Sequence, residues 1–402
     1  MNNIKDIGND CSHCGFCNVV CPKTCINYTY SERTGDFEIR VDENKCIDCG
    51  ICRKVCPVIN QTDTESDFCQ QHSNDNVYAV HSTNTMVRKE SASGGFITSF
   101  LCYLLNKGII DGTLISKRDS VTGNSFIAKT EKEILESKTS IYAPVNYTLG
   151  LKELKETNCK KIAVVGLPCH INAIHNWKNL NKKVNDKIAL TISIVCGKTP
   201  TTNAYKYIAN QNGFDYHKIL HTKNRGDGWP GFMEIKHKDG IYKVPYRSQM
   251  SMGMVLSSPL LSRNGCTSCL DGFGKHSDIA VCDAWLPQYT QMQSDGWNLI
   301  LAQTEKAKQI LSSDNISEYL HLENESVNSF YIANKRVIDK HFLNNDFRQK
   351  KYRSINSIKT STKQKLYVKS LNALKDFTKN KDKATLNPKY LLLGKIINKL
   401  KD

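Results

Sequence analysis

From Val77 onward the apolar positions fall into short continuous runs separated by stretches with helical spacing. Val77-Tyr78-Ala79-Val80 reads as a strand, and Phe96–Leu105 as an apolar helix that continues from the small-residue turn Ser91-Ala92-Ser93-Gly94-Gly95. Ile109–Ser116 reads as a strand and Leu149–Glu156 as a helix. Lys161–Gly166 reads as a strand buried on both faces, the pattern of a parallel sheet. Leu167-Pro168-Cys169 turns into a helix over His170–Asn179, followed by a second buried strand, Lys187–Cys196, and a helix from about Pro200 to Asn212. This alternation predicts an α/β layer. After Gly213 the pattern favours hairpins: Met233–Lys238 and Tyr242–Arg247 flank Asp239-Gly240, a strong two-residue turn signal. Strands Asp278–Cys282 and Trp297–Ala302 lead into a helix from about Glu305, and beyond Asn315 only amphipathic helices and basic connectors are expected.

Residues 1–60 follow a different rule. Phe37-Glu38-Ile39-Arg40-Val41 alternates like a strand, but cysteine spacing dominates. Cys11-x2-Cys14-x2-Cys17-x3-Cys21-Pro22 is repeated as Cys46-x2-Cys49-x2-Cys52-x3-Cys56-Pro57. This is the run of two-cluster bacterial ferredoxins, in which the fourth cysteine of each run serves the other cluster. By that spacing one 4Fe–4S cube takes Cys11, Cys14, Cys17 and Cys56, and the second takes Cys46, Cys49, Cys52 and Cys21. Zinc sites pair C-x2-C units across a longer arm rather than setting three cysteines in one tight run, and disulfides suit an oxidising compartment. Cys25 fits neither run and reads as a small packed hydrophobe; Cys69 reads as an unremarkable thiol.

Length and charge complete the outline. At 402 residues the chain is too long for a ferredoxin alone. The expected division is a two-cluster domain over 1–60, a polar linker over 61–76, a catalytic domain over 77–305 and a basic helical region over 306–402. No basic n-region precedes an apolar core at the start, and no apolar run approaches the roughly twenty residues of a membrane span. A reducing cytoplasm suits the seventeen cysteines. The net charge of +16 attracts acidic partners, anionic substrates, a membrane surface or nucleic acid in principle, or is simply solvated lysine. No nucleic-acid module with interleaved aromatics is present, and none is expected as a partner.

Two further signals are sparser. Ser91–Gly95 before a helix has the physics of a phosphate cradle, and equally of an ordinary turn. Cys169 and Cys196 each follow a buried strand, and Cys266 with Cys269 forms a C-x2-C pair. Strand ends at one edge of a parallel sheet converge, so these four cysteines suit a third cluster, or else are two buried thiols and an incomplete pair.

Six segments, in order, carry a resemblance: Ser91–Gly95, Gly166-Leu167-Pro168-Cys169-His170, Cys196-Gly197, Arg225-Gly226-Asp227-Gly228-Trp229, Cys266-x2-Cys269 and Ser277–Asp283. The chain resembles the beta-subunit family of coenzyme F420-reducing hydrogenases and dehydrogenases, which also includes chlorophyll-cycle reductases. The resemblance implies a flavin, usually FAD, and an iron–sulfur cluster in the catalytic domain. Ser93, Gly94 and Gly95 would then lie at the flavin phosphates, Arg225 and Trp229 at the flavin or substrate face, and Cys169, Cys196, Cys266 and Cys269 around a third 4Fe–4S cube. Two departures stand out: Leu167 where threonine is usual, and Cys282 where glycine often precedes the aspartate, which puts close backbone approach there in question.

The expected fold is therefore an α+β ferredoxin-like N-terminal domain, a larger α/β flavin-binding domain and a helical C-terminal tail. The expected function is an iron–sulfur flavoprotein oxidoreductase. Its flavin faces an organic substrate or deazaflavin coenzyme, and its clusters face a one-electron partner such as ferredoxin or flavodoxin. The alternative is an electron-transfer subunit with clusters but no substrate of its own. No catalytic acid or base stands out, and His170 and Asp283 are unassigned.

Overall fold

A computed structural model describes residues 2–60, 72, 74–255, 258–267, 269–290, 295–352, 366, 370, 371, 373–375, 377, 378, 381–383 and 385–399. Most of the expected linker, with Cys69, lies outside the described residues. Fourteen strands are described: β1 (Ile26–Ser31), β2 (Asp36–Val41), β3 (Val77–Ser82), β4 (Gly112–Asp119), β5 (Thr122–Ala128), β6 (Val145–Asn146), β7 (Ile162–Gly166), β8 (Ile188–Ile194), β9 (Ile219–Lys223), β10 (Phe232–His237), β11 (Gly240–Pro245), β12 (Ile279–Asp283), β13 (Asn298–Ala302) and β14 (Leu320–Glu325).

Nine of these strands build one sheet in the order β14-β3-β13-β12-β8-β7-β4-β5-β6. The four at its centre, β12, β8, β7 and β4, are parallel. Both faces of this centre are covered, which explains why β7 is apolar at every position. Val165, Ile115 and Ile192 point into one core with Phe96, Phe100 and Leu104, while Val164 and Leu114 point into another with Leu151, Ile174 and Trp177. The alternation follows from the two-residue period of a strand.

The parallel centre and the β10–β11 hairpin match the sequence pattern, except that the turn is Lys238-Asp239 rather than Asp239-Gly240, which places Gly240 in the strand opposite His237. Three elements do not. β14 pairs with β3 at the sheet edge, in a region where only helices and connectors were expected. Its sequence, Leu320-His-Leu-Glu-Asn-Glu325, is too polar to announce a strand, as suits an edge that must resist further pairing. β5, and β9 as third strand of the β11-β10-β9 sheet, were also missed because each is short and half polar.

The N-terminal unit repeats its backbone as it repeats its cysteines. His13 and Asp48 hold the left-handed conformation at equivalent places, and Gly15 and Gly50 do so just before the helices Phe16–Val20 and Ile51–Val55. A Cβ on Gly15 would stand 2.4 Å from Thr148 Cγ2, so glycine is required there by packing as well as by φ. Phe16 is fully buried, stacks on Tyr147 and meets the edge of Trp177, each at 6.1 Å between ring centroids. The unit thus shares a core with the larger body.

Candidate redox site

The backbone turns described above wrap the N-terminal thiols into two sets. Burial, then the neighbouring Cys14, and also Cys56, push the Cys11 thiol up to about 12. Cys17 is raised well above its ordinary value by burial and by Cys14, Cys11 and Cys56. The crossing cysteine of the second run therefore lies with the first run. In the same way Cys52 feels burial, then Cys49 and Cys21. Cys21, Cys46, Cys49 and Cys52 line one cavity, partly open to solvent. Buried thiols such as Cys11, Cys17 and Cys52 resist ionisation until a cationic core takes them up, which is what a cluster provides. His13 N–H donates to Cys11 Sγ at 3.4 Å and Asn3 Nδ2 to Cys46 Sγ at 3.6 Å, the hydrogen bonds that hold a sulfur-rich anion.

Cys25 is packed as expected, in a hydrophobic cluster with Ile4 and Ile26, and it also stands beside the second set. It is buried, but its Sγ lies 3.4 Å from Cys21 Sγ and it lines the same cavity. Burial, then Cys21, hold its thiol up at about 12. It is a fifth thiol at the second site, which the cysteine run alone gave no reason to include.

Cys169, Cys196, Cys266 and Cys269 are also brought together. Cys169 enters the first turn of the helix Pro168–Leu180 after β7, and Cys196 follows β8, the adjacent parallel strand. The loop 263–272 is laced to the chain after β8: Arg263 N–H donates to Thr199 O, Cys196 N–H to Gly272 O at 2.8 Å, and Thr199 N–H to Cys266 Sγ at 3.4 Å. The Cys169 thiol is raised well above its ordinary value by burial, then by Cys14, Cys269, Cys196 and Cys266. Cys14 belongs to the first N-terminal set, so that set and this one are neighbours. A Cβ on Gly265 would stand 2.2 Å from Cys11 O, showing how closely the two backbones approach. Among the described residues no three His, Cys, Asp or Glu side chains are placed to hold one metal ion.

The expected flavin residues meet on the other side of the sheet end. The Ser93 hydroxyl donates to Trp297 O at 2.5 Å, Gly94 is packed against Val80 O and Asn298, and Phe96 N–H donates to Asn298 Oδ1 at 3.2 Å. These groups of the turn are spent internally, whereas the buried Ser91 hydroxyl has no partner. A Cβ on Gly296 would lie 3.0 Å from both Ser93 C and Trp229 Cβ, so Trp229 stands against this turn. Arg225 is buried, with Nη1 donating to Asp283 Oδ2 at 2.9 Å and Nε to Pro230 O at 2.9 Å. Its guanidinium lies 4.2 Å from the Tyr246 ring centroid, and Trp229 packs on Trp285 at 4.5 Å. Arg225 Nη2 and Trp229 Nε1 are buried donors without a partner. Aromatic plates with two unpaired donors suit a planar ring that carries carbonyl oxygens.

Two residues left open by the sequence are now placed. His170 stacks on Tyr147 at 3.9 Å and its Nδ1 accepts from Leu167 N–H; burial, then Arg263, lower its pKa to about 3, so it is a neutral packed ring. Cys282 packs with Phe330 and accepts from Asn334 Nδ2 at 2.9 Å, under the helix Val327–Tyr352, while the next residue, Asp283, holds Arg225. Strand alternation thus keeps the cysteine off the Arg225 side. Tyr246 and Trp285 were not among the expected site residues, since the aromatics carried no motif, only proximity; Ser91 lies in the expected turn but was not singled out within it.

The fold and cysteine framework define an iron–sulfur protein with a two-cluster N-terminal unit joined to a mixed α/β body. Residues 10–60 match the 4Fe-4S dicluster domain, residues 77–152 the coenzyme F420 hydrogenase/dehydrogenase beta subunit N-term and residues 159–328 its C terminus. The chain belongs to the coenzyme F420 hydrogenase/dehydrogenase beta-subunit family. It is similar to the coenzyme F420-dependent sulfite reductase of Methanocaldococcus jannaschii, 24% identical over 80% of this chain and 48% of that protein. It is also similar to the coenzyme F420 hydrogenase subunit beta of Methanothermobacter thermautotrophicus, 22% identical over 58% of this chain and 79% of that one. A chain of the F420-reducing [NiFe] hydrogenase complex from Methanosarcina barkeri, solved as a xenon derivative, shares the fold with a TM-score of 0.54 at 18% identity, covering 73% of this chain and 96% of that chain. The chain spans about half the length of the sulfite reductase and of another M. jannaschii relative.

Proposed function

We propose that the protein is a cytoplasmic iron–sulfur flavoprotein oxidoreductase that passes electrons between a two-electron partner, an organic substrate or a deazaflavin such as coenzyme F420, and a one-electron carrier. The observation that carries this reading is the contiguity of three thiol sets: Cys49 is exposed at the outer set, and Cys14 of the inner set neighbours Cys169 of the third. When bound, 4Fe–4S clusters supply one-electron steps and a flavin, in this reading FAD, converts them to two-electron chemistry.

The chain's own residues then have separable roles. Cys11, Cys14, Cys17 and Cys56 hold the inner cube, Cys21, Cys46, Cys49 and Cys52 the outer one, and Cys169, Cys196, Cys266 and Cys269 the third. Arg225, held by Asp283, and Trp229 keep unpaired donors that would serve the oxygens of a bound ring. The Ser91–Gly95 turn lies toward the flavin phosphates with the Ser91 hydroxyl as its free donor. Asp283 remains half-buried beside the site and orients the guanidinium rather than acting as an acid.

Anaerobic purification with iron, sulfide and flavin analysis tests the reading. About twelve irons per chain and a releasable flavin support it, whereas about eight irons and no flavin sink it. The relatives named as beta subunits favour a second reading, an electron-transfer subunit without its own substrate. That reading is met by clusters without flavin and by no turnover with reduced coenzyme F420, NAD(P)H or ferredoxin.

A further inference from the structure

The charge of the chain is gathered at one end. Residues 350–402 contain fifteen Lys and Arg against three Asp, a net +12 of the whole chain's +16. Within this stretch the helix Pro388–Lys399 is docked by one face: Leu391 and Ile397 join the core beside Leu260 and Leu261, and a Cβ on Gly394 would stand 2.7 Å from Ser258 Oγ. The opposite face is also apolar. Leu392, Leu393 and Ile396 are 57%, 44% and 50% exposed, spaced so that they share the outward side with exposed Lys389. Phe377, 58% exposed, meets Tyr390 at the start of the helix, with Lys381 Nζ 4.9 Å from its ring centroid.

We infer that this end of the protein is a docking surface for an anionic lipid bilayer, which the chain touches without crossing. A surface helix with aliphatics outward and lysines around them matches an interfacial helix: the apolar side chains enter the headgroup boundary and the cations remain at the lipid phosphates. Each half alone has a blander meaning, but together they select the partner. A second copy of the chain would set the exposed Lys381 and Lys389 against the same lysines, which opposes association. A nucleic acid offers phosphates but nothing for Leu392, Leu393 and Ile396, and only one of the fifteen cations, Arg353, is the arginine that reads bases. An anionic bilayer uses both features. Among the described residues no helix is long and apolar enough to cross a membrane, so the contact is peripheral.

The test is vesicle flotation of the full-length, cluster-loaded protein. Vesicles of phosphatidylcholine mixed with phosphatidylglycerol should carry the protein upward, vesicles of phosphatidylcholine alone should not, and raising salt should weaken the binding. The combined variant Leu392→Ser, Leu393→Ser, Ile396→Ser should lose more than about tenfold in binding while keeping its visible cluster spectrum, because these side chains face outward. Lys381→Gln with Lys389→Gln should weaken binding and make it less dependent on anionic lipid and on salt. The inference is overturned by absence of binding to the anionic vesicles or by undiminished binding of the triple-serine variant. It is equally overturned if that variant instead abolishes self-association seen by sedimentation, or if the wild type binds duplex DNA and the vesicles only after DNA is removed. None of these readouts depends on flavin or turnover.

Discussion

Arg263 and Asp36 form a buried ion pair across the seam between the N-terminal unit and the body, with Nε–Oδ2 at 2.7 Å and Nη2–Oδ1 at 2.9 Å. Their side chains are 3% and 2% exposed. The same guanidinium donates to Ser12 O at 3.2 Å and shares Asp36 with His13 Nδ1 at 3.0 Å. It sits three residues before Cys266 and partly offsets the burial that raises the Cys11 and Cys14 thiols, so one cation serves the inner set and the third set together.

Removing Arg263 strands a buried carboxylate, which costs ~3–5 kcal/mol, whereas replacing both partners with apolar residues costs less. Arg263→Met should therefore destabilise the protein more than Arg263→Met with Asp36→Leu in anaerobic urea unfolding. Burial alone would raise the Asp36 pKa, but Arg263 and His13 hold it below the ordinary range. The sign follows: this stability is complete above the unfolded carboxylate value, about 3.9, and is lost as pH falls through the lower folded value. Acid unfolding followed by tryptophan fluorescence should show a pH dependence that the double variant lacks.

Cys266→Ser removes one ligand of the third set and leaves both N-terminal sets whole. Iron should fall from about twelve to about eight per chain, with the two-cluster spectrum retained. Loss of all iron would instead mean that the third set is part of the folding core.

Cys21→Ser and Cys49→Ser each remove a ligand of the outer cube, but only Cys21 has a second thiol, Cys25, 3.4 Å away. Cys21→Ser should retain more iron than Cys49→Ser, and Cys21→Ser with Cys25→Ser should match Cys49→Ser. Equal losses from the two single variants would return Cys25 to a packing role.

Arg225→Lys keeps the charge but loses the forked donor set that reaches Asp283 and leaves Nη2 free. At ~1.5–3 kcal/mol for a charge-assisted hydrogen bond, flavin should bind about tenfold or more weakly. Fluorescence of released flavin after gel filtration measures this, and iron content should not change.

Gly265→Val places a side chain against Cys11 O, where even a Cβ stands 2.2 Å away. Overpacking of this kind costs ~1–3 kcal/mol. It should also weaken the magnetic interaction between the inner and third clusters in electron paramagnetic resonance, which a remote destabilising change would leave alone.

Where the chain dictates chemistry locally, the sequence was enough. The two cysteine runs announced a two-cluster domain because ligand spacing is set by backbone within a few residues. The buried strands Ile162–Gly166 and Ile188–Ile194 announced themselves because a parallel centre excludes polar side chains. Only the tertiary structure decided what depends on distant segments meeting. It added polar β14 to the sheet edge, turned Cys282 under Asn334, and set Gly265 on Cys11. It also put Tyr246 and Trp285 beside Arg225 and gave Asp36 its partner 227 residues away. Thiol spacing and strand burial are written in neighbours along the chain, whereas an ion pair, a close backbone approach or an aromatic wall exists only once the sheet has drawn its loops together.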